Sequence, residues 1–587
     1  MSTYAPKSTC LDRLPCIMPS RNIPEDVDAP SICKTFTSKI DSLEKDDFVS
    51  HAIWRDFSSL TGTLRTLYSA DFIHPTWRGL CCERQVMPFQ LSCETAHVVR
   101  PNPKHAWITV PFTFAIKSPL ECSCLGYLNL IPGESGDWKI WVMCTMLDQL
   151  CGYANVDQLD PIDSYSFCDE EQHDSASRSN EIKQEVYDCV VIGAGQAGLS
   201  MAGRLKALGV SYICIESNNK VGDSWRLRYD SARLHTVREY GHLPFERTFT
   251  PDYPQWLTKD DLAKGFSDWA KKFGINILLS TTVGSGSWDE SKREWTLHLQ
   301  RRSIDGEKIE KMTITSSNVV LGVGGGCLTP LFPKYENEDK FKGHDVAEDM
   351  VNAGLASVTM IQRGKTLVIP IQEYKKISEL LYNADTPTTI SDIRSFLRPF
   401  AVSRKLGLEA TRAGYIKNPD KYAGLLKAGF LLDREEEITR HLNDRFGGHY
   451  LDVGASKMIA DGLIKMKSGS LPVSYTEDGL LFADGSHLKA DVVVFTTGFR
   501  GNMRDSARQL FGDEVADRAD DYWGINPEGE IKGAFKPTGQ PGLWYIGGGI
   551  GHSRFFSRFI AMQIKAELEG RKFPIFNEKQ PNIWGEI

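Results

Sequence analysis

Between Tyr187 and Glu216 the chain passes from a short apolar stretch, YDCVVI, through the glycine-rich GAGQAG and the amphipathic LSMAGRLKALG to a second apolar stretch, SYICIE. Short apolar runs bounded by glycine predict buried strands, and the Ala/Leu-rich segment ending at Gly209 predicts the helix between them. Each position in the turn has a physical task. Gly193 permits the tight turn, Gly195 lets the backbone come close to a pyrophosphate, and Gly198 lets helix and strand pack closely. The helix N-terminus entered at Gln196 favours anionic phosphates. Glu216 ends the second strand, where a carboxylate accepts the two hydroxyls of an adenosine ribose and repels a 2′-phosphate. Glycine-rich turns are common by themselves; strand, turn, helix, strand and acid in one continuous run predict a dinucleotide site for FAD or NAD rather than NADP.

A chain of 587 residues exceeds one hydrophobic core, since domains usually run to roughly 100–200 residues. Residues 1–30 carry prolines and polar residues and are expected to form a disordered tail. Residues 31–161 combine DSLEKDDFVSHAIWRDFSSL, read as helical, with strand-like runs AWITVPFTFAI and DWKIWVMCTML, which predicts a small α+β domain. Residues 162–185 are rich in Ser, Asp and Glu and form a linker. The α/β body begins at 186. Its strand pattern returns as DVVVFTTGF and GLWYIGGG, so 186–340 and 456–587 are expected to build one dinucleotide-binding domain around an insertion at 341–455.

The formal charge of −8 is small for this length, and no dense Lys/Arg run occurs, which argues against nucleic acid as a partner and for a small molecule. No apolar run reaches the ~20 residues needed to span a bilayer, and no signal-like start is present; a cytoplasmic protein without membrane insertion is expected. The 14 cysteines contain no CxxC pair, so reduced thiols are expected rather than a disulfide framework or a zinc site, and no metal is assigned. Hydrolase, metalloprotease and Walker A signatures are absent.

The stretch VGDSWRLRYDSARLHT (Val221 to Thr236) resembles the segment that follows this fingerprint in class B flavin monooxygenases. The resemblance continues through VVLGVGGG (Val319 to Gly326), FTTGF (Phe495 to Phe499) and LWYIGGGIGHSRFFSRFIAMQIKAELEG (Leu543 to Gly570). It is nearest to the flavin-containing and YUCCA-like monooxygenases. In the fungal members an N-terminal SnoaL-like cone domain carries a WRD, LTGT, RT motif, matched here by Trp54, Arg55, Asp56, Leu60, Thr61, Gly62, Thr63, Arg65 and Thr66.

The resemblance implies an α/β fold with two dinucleotide-binding domains, FAD contacts from Gly193, Gly195, Gln196, Gly198, Glu216, Trp225 and Arg226, and His235 and Thr236 beside the isoalloxazine ring. For His235 a hydrogen-bonded loop histidine is the plainer reading. The cone would enclose an apolar pocket lined by Trp54, Phe57, Trp107, Phe112, Phe114, Trp138 and Trp141, although alternating aromatics in strands more commonly form core. His51 and Asp56 are expected to be structural.

A monooxygenase of this type also needs a site for NADPH. No second GxGxxG exists: GVGGGC, GSGSWD and GGGIGH each fail at the last glycine. HDVAEDMVNAG (His344 to Gly354) and LASVTMIQR (Leu355 to Arg363) resemble the helix and second strand of the family's NADPH unit, with Arg363 as the 2′-phosphate clamp or, alternatively, a surface arginine at a strand end. The first strand and its turn are missing, and Tyr335 to Gly343 stands in their place. A divergent enzyme, or a gene product from which an exon was omitted, would explain the gap. NADPH binding should be weak or absent, and the parallel sheet should lack a strand.

The resulting expectation is an FAD- and NADPH-dependent monooxygenase that acts with O2 on a small organic substrate, plausible in fungal secondary metabolism, with a homodimer left open. The alternatives are an FAD oxidase or isomerase not reduced by NADPH and a non-catalytic binding protein.

Overall fold

The computed structural model describes residues 9–20, 22–162, 185–303, 308–324, 329–330, 346–444 and 447–580. Two compact units form: one from Met1–Gly325, Leu381–Val402 and Asn502–Ile587, the other from Gly326–Leu380 and Ser403–Gly501. The insertion therefore ends near 501 rather than at 455. The expected linker at 162–185 lies, apart from 162 and 185, outside the described residues, as do Phe341, Gly343 and His344.

The first unit opens with helices α1 (Cys10–Arg13) and α2 (Ala29–Thr37). Leu11, Leu14 and Ile23 are buried, so the described part of the segment expected to be a disordered tail is packed. Strands β1 (Phe48–Phe57), β2 (Leu64–Tyr68), β3 (Gln90–Leu91), β4 (His97–Asn102), β5 (His105–Ile116), β6 (Cys122–Pro132) and β7 (Trp138–Leu150) form one sheet in the order β2-β1-β7-β6-β5-β3, with β4 on β5. Helix α3 (Ala70–Glu83) turns Ile73, Trp77 and Leu80 into the core.

Residues 41–60, read as helical, instead form 3-10 turns followed by β1. Every residue from Ala52 to Phe57 is buried: β2 and β7 pair with the two edges of β1, while Trp54 packs on Trp77 of α3 and Phe57 on Phe555 and Phe556; a strand covered on both faces loses the alternation by which it would be recognised. Of the seven aromatics proposed as pocket lining, Trp54, Phe57, Trp107, Phe112, Phe114 and Trp141 are buried core and Trp138 is half-buried. Asp56 accepts from the backbone N–H of Thr61 at 2.7 Å and from the hydroxyls of Thr61 and Thr145 at 2.6 Å each, a structural role as expected. Cys33 and Cys93 form a disulfide, which corrects the reading of uniformly reduced thiols; their pairing depends on α2 meeting the turn at Cys93.

The motif arginines bind this sheet to the rest of the unit. Arg55 forks onto Glu530 at 2.6 and 2.7 Å and donates to the carbonyls of Phe396 and Arg398 at 2.6 and 2.7 Å. Arg65 forks onto Glu528 at 2.7 and 2.6 Å.

The second sheet of the unit carries β8 (Val186–Ile192), β9 (Tyr212–Ile215), β10 (Ile277–Leu278), β11 (Thr281–Asp289), β12 (Glu294–Arg302) and β13 (Ile309–Leu321) in the order β10-β9-β8-β13-β12-β11, with strand Leu543–Tyr545 on β13. Pairs β10/β9, β9/β8, β8/β13 and β13/Leu543–Tyr545 are parallel. Their carboxyl ends therefore share one edge, where open α/β sheets hold ligands. Helix α4 (Gln196–Ala207) connects β8 to β9; α5 (Asp223–Arg226) and α6 (Lys259–Lys272) follow. The α/β, Rossmann-like class expected from sequence is present.

In the second unit, strand Val358–Gln362 runs parallel to Ile464–Ser468, and Leu367–Pro370 runs parallel to His449–Asp452. Val358, Leu425, Ile459 and Ile464 form its core. Among the described residues no strand joins these two pairs, and DVVVFTTGF is not the expected strand: 492–498 is irregular, with Val492 62 % exposed. An apolar run becomes a buried strand only where neighbours accept its backbone hydrogen bonds; among the described residues only its last residue, Phe499, pairs in a strand, antiparallel to Thr329–Pro330.

Candidate cofactor-binding site

The three glycines of GAGQAG face different surroundings. Gly193 has φ +101°, and a Cβ there would stand 2.6 Å from the carbonyl oxygen of Gly322. A Cβ on Gly198 would stand 1.7 Å from the carbonyl oxygen of Gly193. Both positions are closed by backbone. At Gly195 the same atom would meet nothing nearer than Ser224 Oγ at 3.9 Å. This open space adjoins the N-terminus of α4, which Gly195 caps without a side-chain acceptor, leaving first-turn N–H groups for an anion.

Glu216 is 7 % exposed at the end of β9. Its Oε2 accepts the N–H of Ala194, inside the glycine turn, at 2.7 Å; its Oε1 accepts the backbone and side-chain N–H of Asn218, each at 2.8 Å. A carboxylate offers about four acceptor positions, so Oε2 retains room for a hydroxyl.

Gln196 bridges two elements: its Oε1 accepts from Trp225 Nε1 at 3.3 Å, and its Nε2 donates to the carbonyl of Gly548 at 3.4 Å. Gly548 belongs to a second glycine turn, Gly547 to Gly549, between strand Leu543–Tyr545 and the 19-residue helix Ile550–Leu568, which Gly549 caps. The string GGGIGH, which fails as a fingerprint, thus supplies a further glycine entrance at the same sheet edge. It was missed as a site because its spacing differs; the signal was the strand before it and the long helix after it.

On this helix His552 Nδ1 is buried without a hydrogen-bond partner. The ring lies 4.8 Å from Phe396 and 6.0 Å from Trp523, centroid to centroid. Burial, with a smaller contribution from the charge of Arg554, pulls its pKa down to about 4, so the imidazole is neutral near pH 7.

Of the predicted ring neighbours, His235 is exposed, whereas Thr236 carries a buried Oγ1 without a hydrogen-bond partner. Arg226 pairs with Asp223. Glu239 lies 3.0 Å from His242, a contact that with Arg238 pulls its carboxyl down to about 2. Burial lowers the pKa of His242, and its Nδ1 accepts the N–H of Phe249 at 3.3 Å. Arg363, in the second unit, is exposed directly after strand Val358–Gln362 and has no ion-pair partner among the described residues. Groups of His, Cys, Asp and Glu arranged to hold a metal are absent among the described residues, as is any helix long and apolar enough to cross a membrane.

No family model matches the chain. It is 25% identical over 332 residues to the indole-3-pyruvate monooxygenase YUCCA8 of Oryza sativa subsp. indica, covering 54% of this chain and 76% of that protein. It is 26% identical over 343 residues to the probable indole-3-pyruvate monooxygenase YUCCA3 of Arabidopsis thaliana, covering 54% and 73%. The chain is a homologue of the YUCCA-type flavin monooxygenases. A solved cyclohexanone monooxygenase in an open form aligns with a TM-score of 0.44 at 15% identity, covering 66% of this chain and 89% of that one.

The residues present fit FAD. Gly195 leaves its backbone open beside a helix entrance, Glu216 keeps acceptor capacity next to the turn, and Thr236 Oγ1 has no partner. For NADPH, Arg363 is exposed at its strand end and a second GxGxxG turn is absent from the sequence.

Proposed function

We propose that the chain is a flavin-dependent monooxygenase that binds FAD at the glycine turn, takes reducing equivalents from NADPH and delivers one oxygen atom of O2 to a small organic substrate by N-, S- or C-oxygenation. The observation that carries this reading is the open space at Gly195 in a turn otherwise closed by backbone, in a homologue of flavin monooxygenases.

In this reading the flavin supplies the redox and oxygen chemistry when bound. The N–H groups at the entrance of α4 hold the pyrophosphate, and Glu216 takes a ribose hydroxyl on Oε2. Gln196 fixes Trp225 against the Gly547 to Gly549 turn. Thr236 Oγ1 donates to the ring system, with His235 at the mouth. The aromatic layer of Phe396, Trp523 and His552 keeps water from the helix entrance. Arg363 would receive the 2′-phosphate of NADPH.

The same reading takes the N-terminal sheet as a SnoaL-like cone, supported by the motif arginines Arg55 and Arg65 at its junction with Glu530 and Glu528. It also includes a fungal source, a role in secondary metabolism, a cytoplasmic setting and a homodimer.

A second reading, an FAD oxidase or isomerase not reduced by NADPH, is favoured by one observation: among the described residues the second unit has two parallel pairs joined by no strand and an irregular 492–498 where a dinucleotide sheet would be continuous. Anaerobic mixing of the FAD-loaded chain with NADPH tests both. Bleaching of the flavin, and its return with oxygenated product on admitting O2 and substrate, is expected of the monooxygenase. Bleaching by substrate but not by NADPH selects the second reading.

A further inference from the structure

β2 is an edge strand: it pairs with β1, and among the described residues no strand pairs with its other side. An open edge presents unpaired N–H and C=O groups. Here they meet residues 573–580, which follow the helix Ile550–Leu568 within the same unit. Every second residue of that segment is bonded to the LTGT and RT motif, to Tyr68 or to Arg84 at the end of α3. Arg84 Nη2 donates to the carbonyl of Pro574 at 2.7 Å. The N–H of Phe576 donates to the carbonyl of Thr61 at 2.9 Å, and Arg65 Nη1 donates to the carbonyl of Phe576. Arg65 Nη2 donates to the carbonyl of Glu578 at 3.0 Å. Gln580 imitates one more pair of backbone groups: its Nε2 donates to the carbonyl of Thr66 and its Oε1 accepts the N–H of Tyr68, each at 2.8 Å. Contacts at 574, 576, 578 and 580 have the period of an extended strand, and all but the last read main chain rather than side chain.

The cradle is held by bonds of its own. Asp56 accepts the N–H groups of Leu60 and Thr61 at 3.1 and 2.7 Å, and Arg84 Nε donates to the carbonyl of Leu60 at 3.0 Å; none of these involves residues 573–580. Gly62 has φ +69°, and a Cβ there would stand 2.2 Å from the carbonyl oxygen of Pro574, so only glycine leaves the room that the segment occupies. The segment brings one apolar anchor, Phe573, which is 4 % exposed, while Pro574, Asn577, Glu578 and Lys579 are exposed.

We propose that this motif is a peptide-docking site that reads an extended segment through alternate main-chain carbonyls, and that residues 573–580 are its ligand, a latch over the open edge of β2 that can leave while the sheet stays folded. Recognition of this kind adds an extended segment to a sheet edge. Neither FAD nor the oxygenation chemistry enters it.

Residue-resolved hydrogen exchange on the full chain tests the latch, read at the N–H groups of Phe576 and Tyr68. Phe573→Asp withdraws the anchor, which makes none of the cradle's hydrogen bonds; both amides should exchange about tenfold faster or more, with β8 and α4 unchanged. A synthetic peptide with the sequence of residues 573–580, added to that variant, should restore protection at Tyr68, and should fail to do so once Gly62→Ala is also present. Gln580→Ala removes only the two hydrogen bonds at the far end and should speed exchange at Tyr68 while Phe576 stays slow. Fast exchange at Phe576 in wild type, wild-type exchange at Tyr68 in Gln580→Ala or in Phe573→Asp, or no protection from the peptide would overturn the proposal. So would protection of Tyr68 that rises with the concentration of the Phe573→Asp chain alone, since the edge would then belong to a second copy.

Discussion

Replacing Gly195 and Gly198 separately by alanine distinguishes a ligand-facing glycine from a packing glycine in the same turn. Gly195 has φ −73° and ψ −170°, extended backbone that alanine adopts freely, and the added methyl would find its nearest neighbour at 3.9 Å. The apo chain should lose nothing; restricting the unfolded state should stabilise it by about 0.4–1 kcal/mol. With FAD the sign reverses, because the methyl occupies the space through which the pyrophosphate approaches. A tenfold loss of affinity corresponds to ~1.4 kcal/mol, and at least that loss is expected. At Gly198 the methyl would sit 1.7 Å from the carbonyl oxygen of Gly193, a clash with backbone that no rotamer relieves, so the apo chain itself should lose about 1–3 kcal/mol or more. Urea unfolding of the apo proteins, paired with quenching of flavin fluorescence on titration, measures both quantities. Wild-type FAD affinity in Gly195→Ala, or an apo Gly198→Ala as stable as wild type, would refute the division of roles.

Arg55→Ala should destabilise the first unit by about 3–5 kcal/mol, because it leaves Glu530, fully buried, without its counter-charge; urea unfolding checks this, and Arg55→Lys should recover only part. Stability should fall as pH drops below the ordinary histidine value of 6.5, because His552 is held at about 4 in the folded chain and protonates only on unfolding. Its contribution, no more than about 3 kcal/mol, is present above pH 6.5 and gone by about pH 4, so His552→Phe should flatten a pH series of thermal melts in that window. Glu239, depressed from 4.5 to about 2, should add a further loss between those values as its carboxylate is protonated, and Glu239→Gln should remove that lower limb. Thr236→Val should weaken FAD binding or alter the flavin absorption bands without changing the apo melting temperature, because Thr236 Oγ1 has no protein partner to lose.

The dinucleotide unit was legible because its determinants are local: the glycines, the helix between them and Glu216 lie within one continuous run, and the sheet only assembles what that run specifies. β1 was not, because its two faces are covered from other parts of the chain, Trp54 by Trp77 and Phe57 by Phe555 and Phe556, which erases the period-2 signal. The Cys33–Cys93 pair has the same origin, since its 60-residue separation is closed by tertiary contacts. DVVVFTTGF shows the converse: its composition favours a strand, yet 492–498 is irregular and, among the described residues, only Phe499 at its end pairs in a strand, so propensity alone does not make one. In the candidate site, the closed turn positions Gly193 and Gly198 and the open one at Gly195 were singled out by spacing alone. The Gly547 to Gly549 turn and His552 could not be, because their place beside Gln196 follows from the parallel pairing of β13 with Leu543–Tyr545.

The most direct measurement is the flavin content of the purified chain, read from its visible absorption after reconstitution with FAD and gel filtration. A yellow protein carrying one FAD per chain, with Gly195→Ala losing it while remaining folded, is the expected result. Colourless, folded wild-type protein that takes up no FAD would contradict the assignment of the glycine turn as a flavin site.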